Sequence, residues 1–155
     1  MALRTLLEYL NDNEVKYICM NHSPAYTAQE IAASAHVPGR ELAKTVIIKP
    51  DGKLQMAVVP ANESIDFERL AKFAGVQNAE LADEGEFQDL FPDCETGAMP
   101  PFGNLYDMDV YVDEELTKDE KIAFNAGSHN ELMQIEYEDF EDLVHPRIGS
   151  FGHKA

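Results

Sequence analysis

Apolar residues recur along this chain in two rhythms, and the rhythms divide it into elements. Leu3, Leu6, Leu7 and Leu10 fall at the i, i+3, i+4, i+7 spacing that lines one face of a helix, which predicts a helix over about 2–12. Val15 to Met20 reads as a short strand. Thr27 and Glu30 form a capping box for a second helix, which Pro38-Gly39 ends. The β-rich runs AKTVIIK (43–49) and KLQMAVV (53–59) flank Pro50-Asp51-Gly52, a strong hairpin signal, and Pro60 closes the second strand. A helix follows, with Asp66 at its N-cap and Gly75 just past its end, then a shorter acidic helix over 84–90. GAMPPFGN (97–104), with two Gly and two Pro, must be irregular. Strands are expected at 108–112, 121–125 and 131–136, and a last helix at 138–144. Beyond Pro146 the tail RIGSFGHKA is expected to be loose.

This order mixes hairpins with helices and never settles into β-α-β repetition. It predicts an α+β fold, a single domain over 1–146 with a mixed, mostly antiparallel sheet, followed by a flexible C-terminal tail at 147–155. A length of 155 residues with 45% hydrophobic content suits one such domain. No run approaches the roughly 18 apolar residues of a membrane span. MALRTLLEYLNDNE turns acidic after ten residues and lacks a small-residue cleavage site, so the cytoplasm is the expected address. Cys19 and Cys94 form neither a CxxC motif nor a disulfide framework, and both are expected to act as small packing residues.

Charge changes the picture most. Acidic residues outnumber basic ones 29 to 12, for a net charge of -17, which argues against a broadly basic nucleic-acid surface. The acids concentrate in 80–95, 113–120 and 136–142, while Arg40, Lys44, Lys49 and Lys53 form a small local patch.

The chain contains no GxxxxGK[ST], GxGxxG, HExxH or GxSxG. Ser128 and His129 are sequence neighbours that extended chain would point to opposite faces, so they do not make a nucleophile–base pair directly. The five histidines show no metal-ligand spacing, and no metal is expected. Lys44 begins an otherwise apolar strand between the small residues Ala43 and Thr45. It is either an edge lysine snorkelling to water or a point charge directed into a cleft. Gly97 to Asn104 is either a simple connection or a stiff loop that presents backbone N–H groups to an oxyanion. His22, before Ser23-Pro24, either touches a ligand or bonds the turn backbone.

Four stretches carry a resemblance: HSPAYTAQEIA (22–32), ELAKTVIIK (41–49), TGAMPPFGNLYDMDVYVDEEL (96–116) and FNAGSHNELMQIEYEDFEDLV (124–144). Together, and in this order, they resemble the YbaK/ProX family of aminoacyl-tRNA deacylases, related to the editing domain of bacterial prolyl-tRNA synthetases. The resemblance implies a barrel-like mixed sheet surrounded by helices, and hydrolysis of the ester joining a wrongly attached small amino acid to the 3′ end of a tRNA. The family's strand lysine falls on Lys44 and its GxxxP loop on Gly97 to Pro101, so Lys44, Gly97 and Pro101 are the expected catalytic set. Gly127 matches a pocket glycine, and His129 lies close to a position where some relatives carry a functional histidine. The remaining pocket is expected from His22, Tyr26, Thr45, Ile47, Met99, Phe102, Gly103 and Ser128. No metal or organic cofactor is implied, and the substrate's own ribose hydroxyl is expected to help place the water.

The expected function is therefore a free-standing trans-editing deacylase whose partners are the aminoacylated end of tRNA and an aminoacyl-tRNA synthetase. The alternative is a non-catalytic binding or regulatory module that uses the same pocket for a small ligand or a synthetase, which the charge of -17 favours. A generic esterase or thioesterase is a weaker third reading, because the nucleophile elbow is missing.

Overall fold

The structure, a computed structural model, describes residues 4–21, 39–92, 94–95, 98–128 and 131–154. The helix expected at 27–38, with its Thr27–Glu30 cap, lies outside them.

Helix α1 (Arg4–Asp12) buries Leu6 and Leu10, which stand one turn apart. Glu14 then takes a left-handed conformation (φ 57°), so strand β1 begins only at Ile18 and runs to Asn21. The hairpin forms as its sequence dictates. Strands β2 (Ala43–Pro50) and β3 (Gln55–Pro60) pair antiparallel, with Ile48 opposite Gln55 and Ala43 opposite Pro60. Asp51 and Gly52 both adopt positive φ (49° and 84°), the twist of a tight hairpin turn. Two short strands escaped the sequence pattern, β4 (Glu63–Ile65) and β5 (Ala79–Leu81). Between them, helix α2 (Phe67–Ala74) is capped as expected. The Asp66 carboxylate accepts from Glu68 N at 3.1 Å and Arg69 N at 3.2 Å, and Gly75 closes the helix in the left-handed region. The acidic helix α3 (Glu84–Phe87) is shorter than expected and tightens into a 3-10 turn over Gln88–Leu90.

Strand β6 (Val110–Asp113) is followed by β7 (Lys121–Asn125), β8 (Glu131–Glu136) and helix α4 (Tyr137–Val144). One five-stranded sheet begins β5-β2-β3-β6, its fifth strand coming from the end of the chain, and a second, three-stranded sheet runs β1-β8-β7. A parallel bridge between Leu42 and Ala123 joins the two at one point, so the barrel-like arrangement stays open.

The stretch after Pro146 differs from the expectation of a loose tail. It forms β9 (Arg147–Gly149), which adds to β6 and completes the larger sheet, and β10 (Gly152–Lys154), which pairs with β4. The reason is one residue. Phe151 is fully buried, stacked on Phe73 with ring centroids 6.2 Å apart, and its N–H is taken by the buried Asp113 carboxylate. Of the described strand pairings, only β3–β6 and β6–β9 are parallel, so the sheet is mixed and mostly antiparallel, and the fold is α+β.

The hairpin divides the interior. Ala43, Ile47, Met56 and Val58 face a large core with Phe102, Phe124 and Phe140, whose rings meet edge to face. Ile48, Ala57 and Val59 face a smaller core with Leu70, Tyr111 and Phe151. Cys94 is half-buried, 3.7 Å from Tyr106 Oη. Cys19 departs from its expected packing role, because it lies exposed on β1, an outer strand of its sheet.

Two outcomes follow from this packing. Phe151→Ala should lower stability by about 3–5 kcal/mol in urea unfolding, the cost of an emptied aromatic site, whereas a loose tail would leave the midpoint unchanged. Asp119, after β6, has a buried Oδ2 with no hydrogen-bond partner among the described residues. Burial, with Glu41 and Glu115 adding to it against Arg40, pushes its carboxyl up to about 6. A raised carboxyl favours the fold while protonated, and that contribution is lost as pH rises through about 6. Asp119→Asn should therefore gain more stability relative to the native chain at pH 7 than at pH 5; an equal difference at the two pH values would contradict the assignment.

Candidate active site

Lys44 is the second residue of β2. Side chains alternate along a strand, so Lys44 shares its face with Val46 and Ile48, away from the large core that receives Ala43 and Ile47. Its amine does not extend freely into water. It is half-buried and donates to the Glu63 carbonyl of β4 at 2.7 Å. Burial pushes the ammonium below the usual lysine range, and the nearby Glu63 charge opposes that shift.

Beside β2, the Leu42–Ala123 bridge sets the register with β7. Lys44 and Asn125 each stand two residues past that bridge, on the face that carries Leu42 and Ala123. Asn125 Oδ1 is buried without a hydrogen-bond partner among the described residues. Buried polar atoms are nearly always satisfied, so an orphaned amide oxygen calls for a ligand or another explanation. Sequence reasoning missed Asn125; the available signal was a polar residue ending the apolar run of β7. Thr45 Oγ1 also has no hydrogen-bond partner among the described residues, but it lies on the opposite face of β2, with Ala43 and Ile47.

From Asn125 the chain enters the turn toward β8, where Gly127 is buried at φ 100°, a conformation side chains rarely adopt. This turn is fastened to the glycine- and proline-rich loop. Gly127 N donates to Ala98 O at 3.0 Å, and Glu95 N donates to Gly127 O at 2.8 Å. The loop is thus fastened at Ala98, but its supply of donors is narrower than seven residues suggest. Pro100 and Pro101 have no N–H, and Ala98 N–H is engaged by Glu95 O. In the described part, Met99, Phe102 and Gly103 carry the remaining N–H groups.

The structure brings Gly127 and Ser128 together with the start of the loop, and the β2–β7 junction brings Lys44 and Asn125 to one face. Other expected pocket residues take different places. Met99, Ile47 and Phe102 belong to the large core, where Phe102 is surrounded by the Tyr9, Phe124 and Phe140 rings. Pro101 is buried. Gly103 has no room for a side chain, because a Cβ there would meet Met108 O at 2.6 Å. His22, Tyr26, Gly97 and His129 lie outside the described residues. Among the described residues no group of His, Cys, Asp and Glu is arranged to hold a metal ion, and no helix is long and apolar enough to cross a membrane.

Comparison with known proteins bears on this arrangement. The chain is 22% identical over 156 residues to the prolyl-tRNA editing protein ProX of Acetoanaerobium sticklandii, covering 97% of this chain and 94% of that protein. It is 29% identical over 101 residues to the multifunctional Ser/Thr-tRNA deacylase ProXp-y of Escherichia coli, covering 64% and 60% respectively. A proline–tRNA ligase of Staphylococcus saprophyticus is 32% identical over 88 residues, or 56% of this chain, and the match spans only 15% of that ligase. The solved structure of hypothetical protein APE2540 superposes with a TM-score of 0.86 at 20% identity, over 97% of this chain and 100% of the other, which establishes the fold. The aminoacyl-tRNA editing domain matches residues 22–143, a span that holds both Lys44 and the 97–103 loop, and the chain belongs to that family.

Proposed function

We propose that this domain is an aminoacyl-tRNA deacylase that removes a small, wrongly attached amino acid from the 3′ end of a tRNA. The observation that carries the proposal is the family match over 22–143. The match to ProX over nearly its whole length supports a domain of this size acting without an attached synthetase. Water attacks the ester carbonyl, the bond to the ribose oxygen breaks, and that oxygen leaves with a proton. The developing oxyanion needs fixed donors. Lys44 would supply one, or hold the terminal phosphate, and the rigid loop from Gly97 to Gly103 would supply main-chain N–H groups. Asn125 Oδ1 would accept from the substrate's ammonium or hydroxyl groups. Gly127, Ser128 and His129 would border the same hollow with His22 and Tyr26, while Met99, Phe102 and Pro101, with Thr45 on the opposite face of β2, would shape it from behind.

With a net charge of -17, the surface as a whole repels a polyanion, so contact would be confined to the 3′ end, or a synthetase would deliver the tRNA. A tRNA substrate would place the reaction with translation in the cytoplasm. The same charge favours the second reading, a binding module without catalysis. A panel of mischarged tRNAs separates the two: accelerated ester loss on at least one supports the enzyme, and binding without ester loss across the panel supports the module.

Lys44→Ala should lower deacylation by about 10²-fold or more, as expected for a lost oxyanion donor, with an unchanged circular dichroism spectrum. Full activity in the folded variant would contradict the mechanism. Asn125→Leu separates function from packing. Removing an orphaned buried oxygen should leave the melting temperature equal or higher, while deacylation falls roughly tenfold; lost stability with retained activity would make Asn125 a packing residue instead.

A further inference from the structure

The run YVDEEL holds a buried charge that the site described above does not use. Asp113, at the end of β6, is 1% exposed. Its Oδ1 accepts from Phe151 N at 3.1 Å and from Gly152 N at 2.9 Å, and its Oδ2 accepts from Glu115 N at 3.1 Å. One carboxylate therefore anchors the turn that leads into β10. From that turn β10 runs antiparallel to β4, with Gly152 opposite Ile65 and Lys154 opposite Glu63. Two-stranded ladders of three residues are marginal by themselves, so this one depends on how its turn is held. Asp66 N and the Arg69 guanidinium also fasten the turn, donating to Phe151 O at 2.7 Å and to Gly152 O at 3.1 Å. Asp113 holds it from the buried side. The fit is close: a Cβ on Gly152 would lie 2.6 Å from Glu63 Oε1 and 3.2 Å from the Asp113 carboxyl.

Glu63 is also the residue whose carbonyl receives the Lys44 amine. We propose that Asp113 is a positioning residue for Lys44: it pins the 150–152 turn, the turn holds β10 on β4, and β4 holds the Glu63 carbonyl against the amine. The catalytic consequence rests on the deacylase reading of Lys44, whereas the mechanical coupling does not. A lysine aimed by its own strand alone would be free to follow its flexible stem. A lysine whose amine is held by a carbonyl on a strapped strand keeps its place between substrate encounters. The segment after Pro146 thus bears on the site although it contributes no group to it.

The test titrates the lysine side chains by NMR, with ¹³Cε-labelled lysine and Lys44→Arg for assignment. It is run beside deacylation kinetics on whichever tRNA the panel identifies. Asp113→Ala should free the amides of 152–154 for faster exchange. The Lys44 midpoint should then move up toward the ordinary lysine value of 10.5, because lost burial outweighs the lost Glu63 charge. The turnover number kcat should fall about tenfold with KM changed less than about twofold. Asp113→Asn keeps an oxygen for Phe151 N and Gly152 N and should restore both readouts. A folded Asp113→Ala protein with fast exchange at 152–154 but native Lys44 titration and kcat would overturn the proposal. If Asp113→Ala does not fold, Arg69→Ala removes the exposed donor to Gly152 O and loosens the same turn, and faster exchange at 152–154 with an unmoved Lys44 midpoint there would overturn it equally. If the native chain hydrolyses no tRNA on the panel, the deacylase reading fails, and the titration still decides the coupling.

Discussion

An ammonium group drawn half out of water loses hydration and must find an oxygen to donate to. Lys44 finds the Glu63 carbonyl at 2.7 Å, and much of the molecule is arranged so that this carbonyl is there. Strand β2 sets the amine's origin, and the hairpin register places Lys44 opposite Val59, near the end of β3. The chain then continues through Ala61, whose N–H donates to Leu42 O at 2.8 Å, so Glu63 returns past the start of β2. On the other side, the Leu42–Ala123 bridge brings β7 alongside. The lysine sits where the two larger sheets first touch.

That junction also explains why the site's rigidity comes from the main chain. Ala98, Leu42, Ala61 and Ala123 are almost fully buried and small or aliphatic; Leu42 is linked through its backbone to Ala61 and Ala123, and Ala98 to Gly127. Small side chains let strands and loops approach closely, and close approach lets Gly127 bond the Ala98 carbonyl directly. On the large-core side Phe102, Phe124 and Phe140 fill the interior beneath the loop. The loop is thus stiffened twice, by proline along its length and by an aromatic anchor below it.

The elements most legible in the sequence were those whose ends carry their own chemistry. Asp51-Gly52 announced the hairpin, and Asp66 with Gly75 bounded α2, because turns and caps are decided by local backbone needs. Strands β4 and β5, three residues each, are decided by their partners and left no periodicity to find. The order of the tail escapes the sequence for a related reason. Its Gly, Ser and His residues read as loose, and only burial of Phe151 and the distant Asp113 carboxylate order it. Lys44 was legible as unusual, although its two readings could be separated only by seeing Glu63 across from it. An aromatic in a Gly-Pro loop has the same pattern whether it faces a ligand or the core, and Phe102 packs in the core. Asn125 was overlooked because its oddity, an amide oxygen buried without a partner, exists only in three dimensions.

The central claim is that substrate meets the domain at the junction of β2 and β7, beside the loop fastened to Gly127. The most direct measurement is an NMR shift map with a non-hydrolysable analogue, a 3′-aminoacylamino-adenosine carrying a small amino acid. The amides of Lys44, Ala98, Asn125 and Gly127 should shift together with one dissociation constant. Shifts confined to another region, such as the 410 Å³ cavity lined by Asn104, His145 and Arg147, would contradict it.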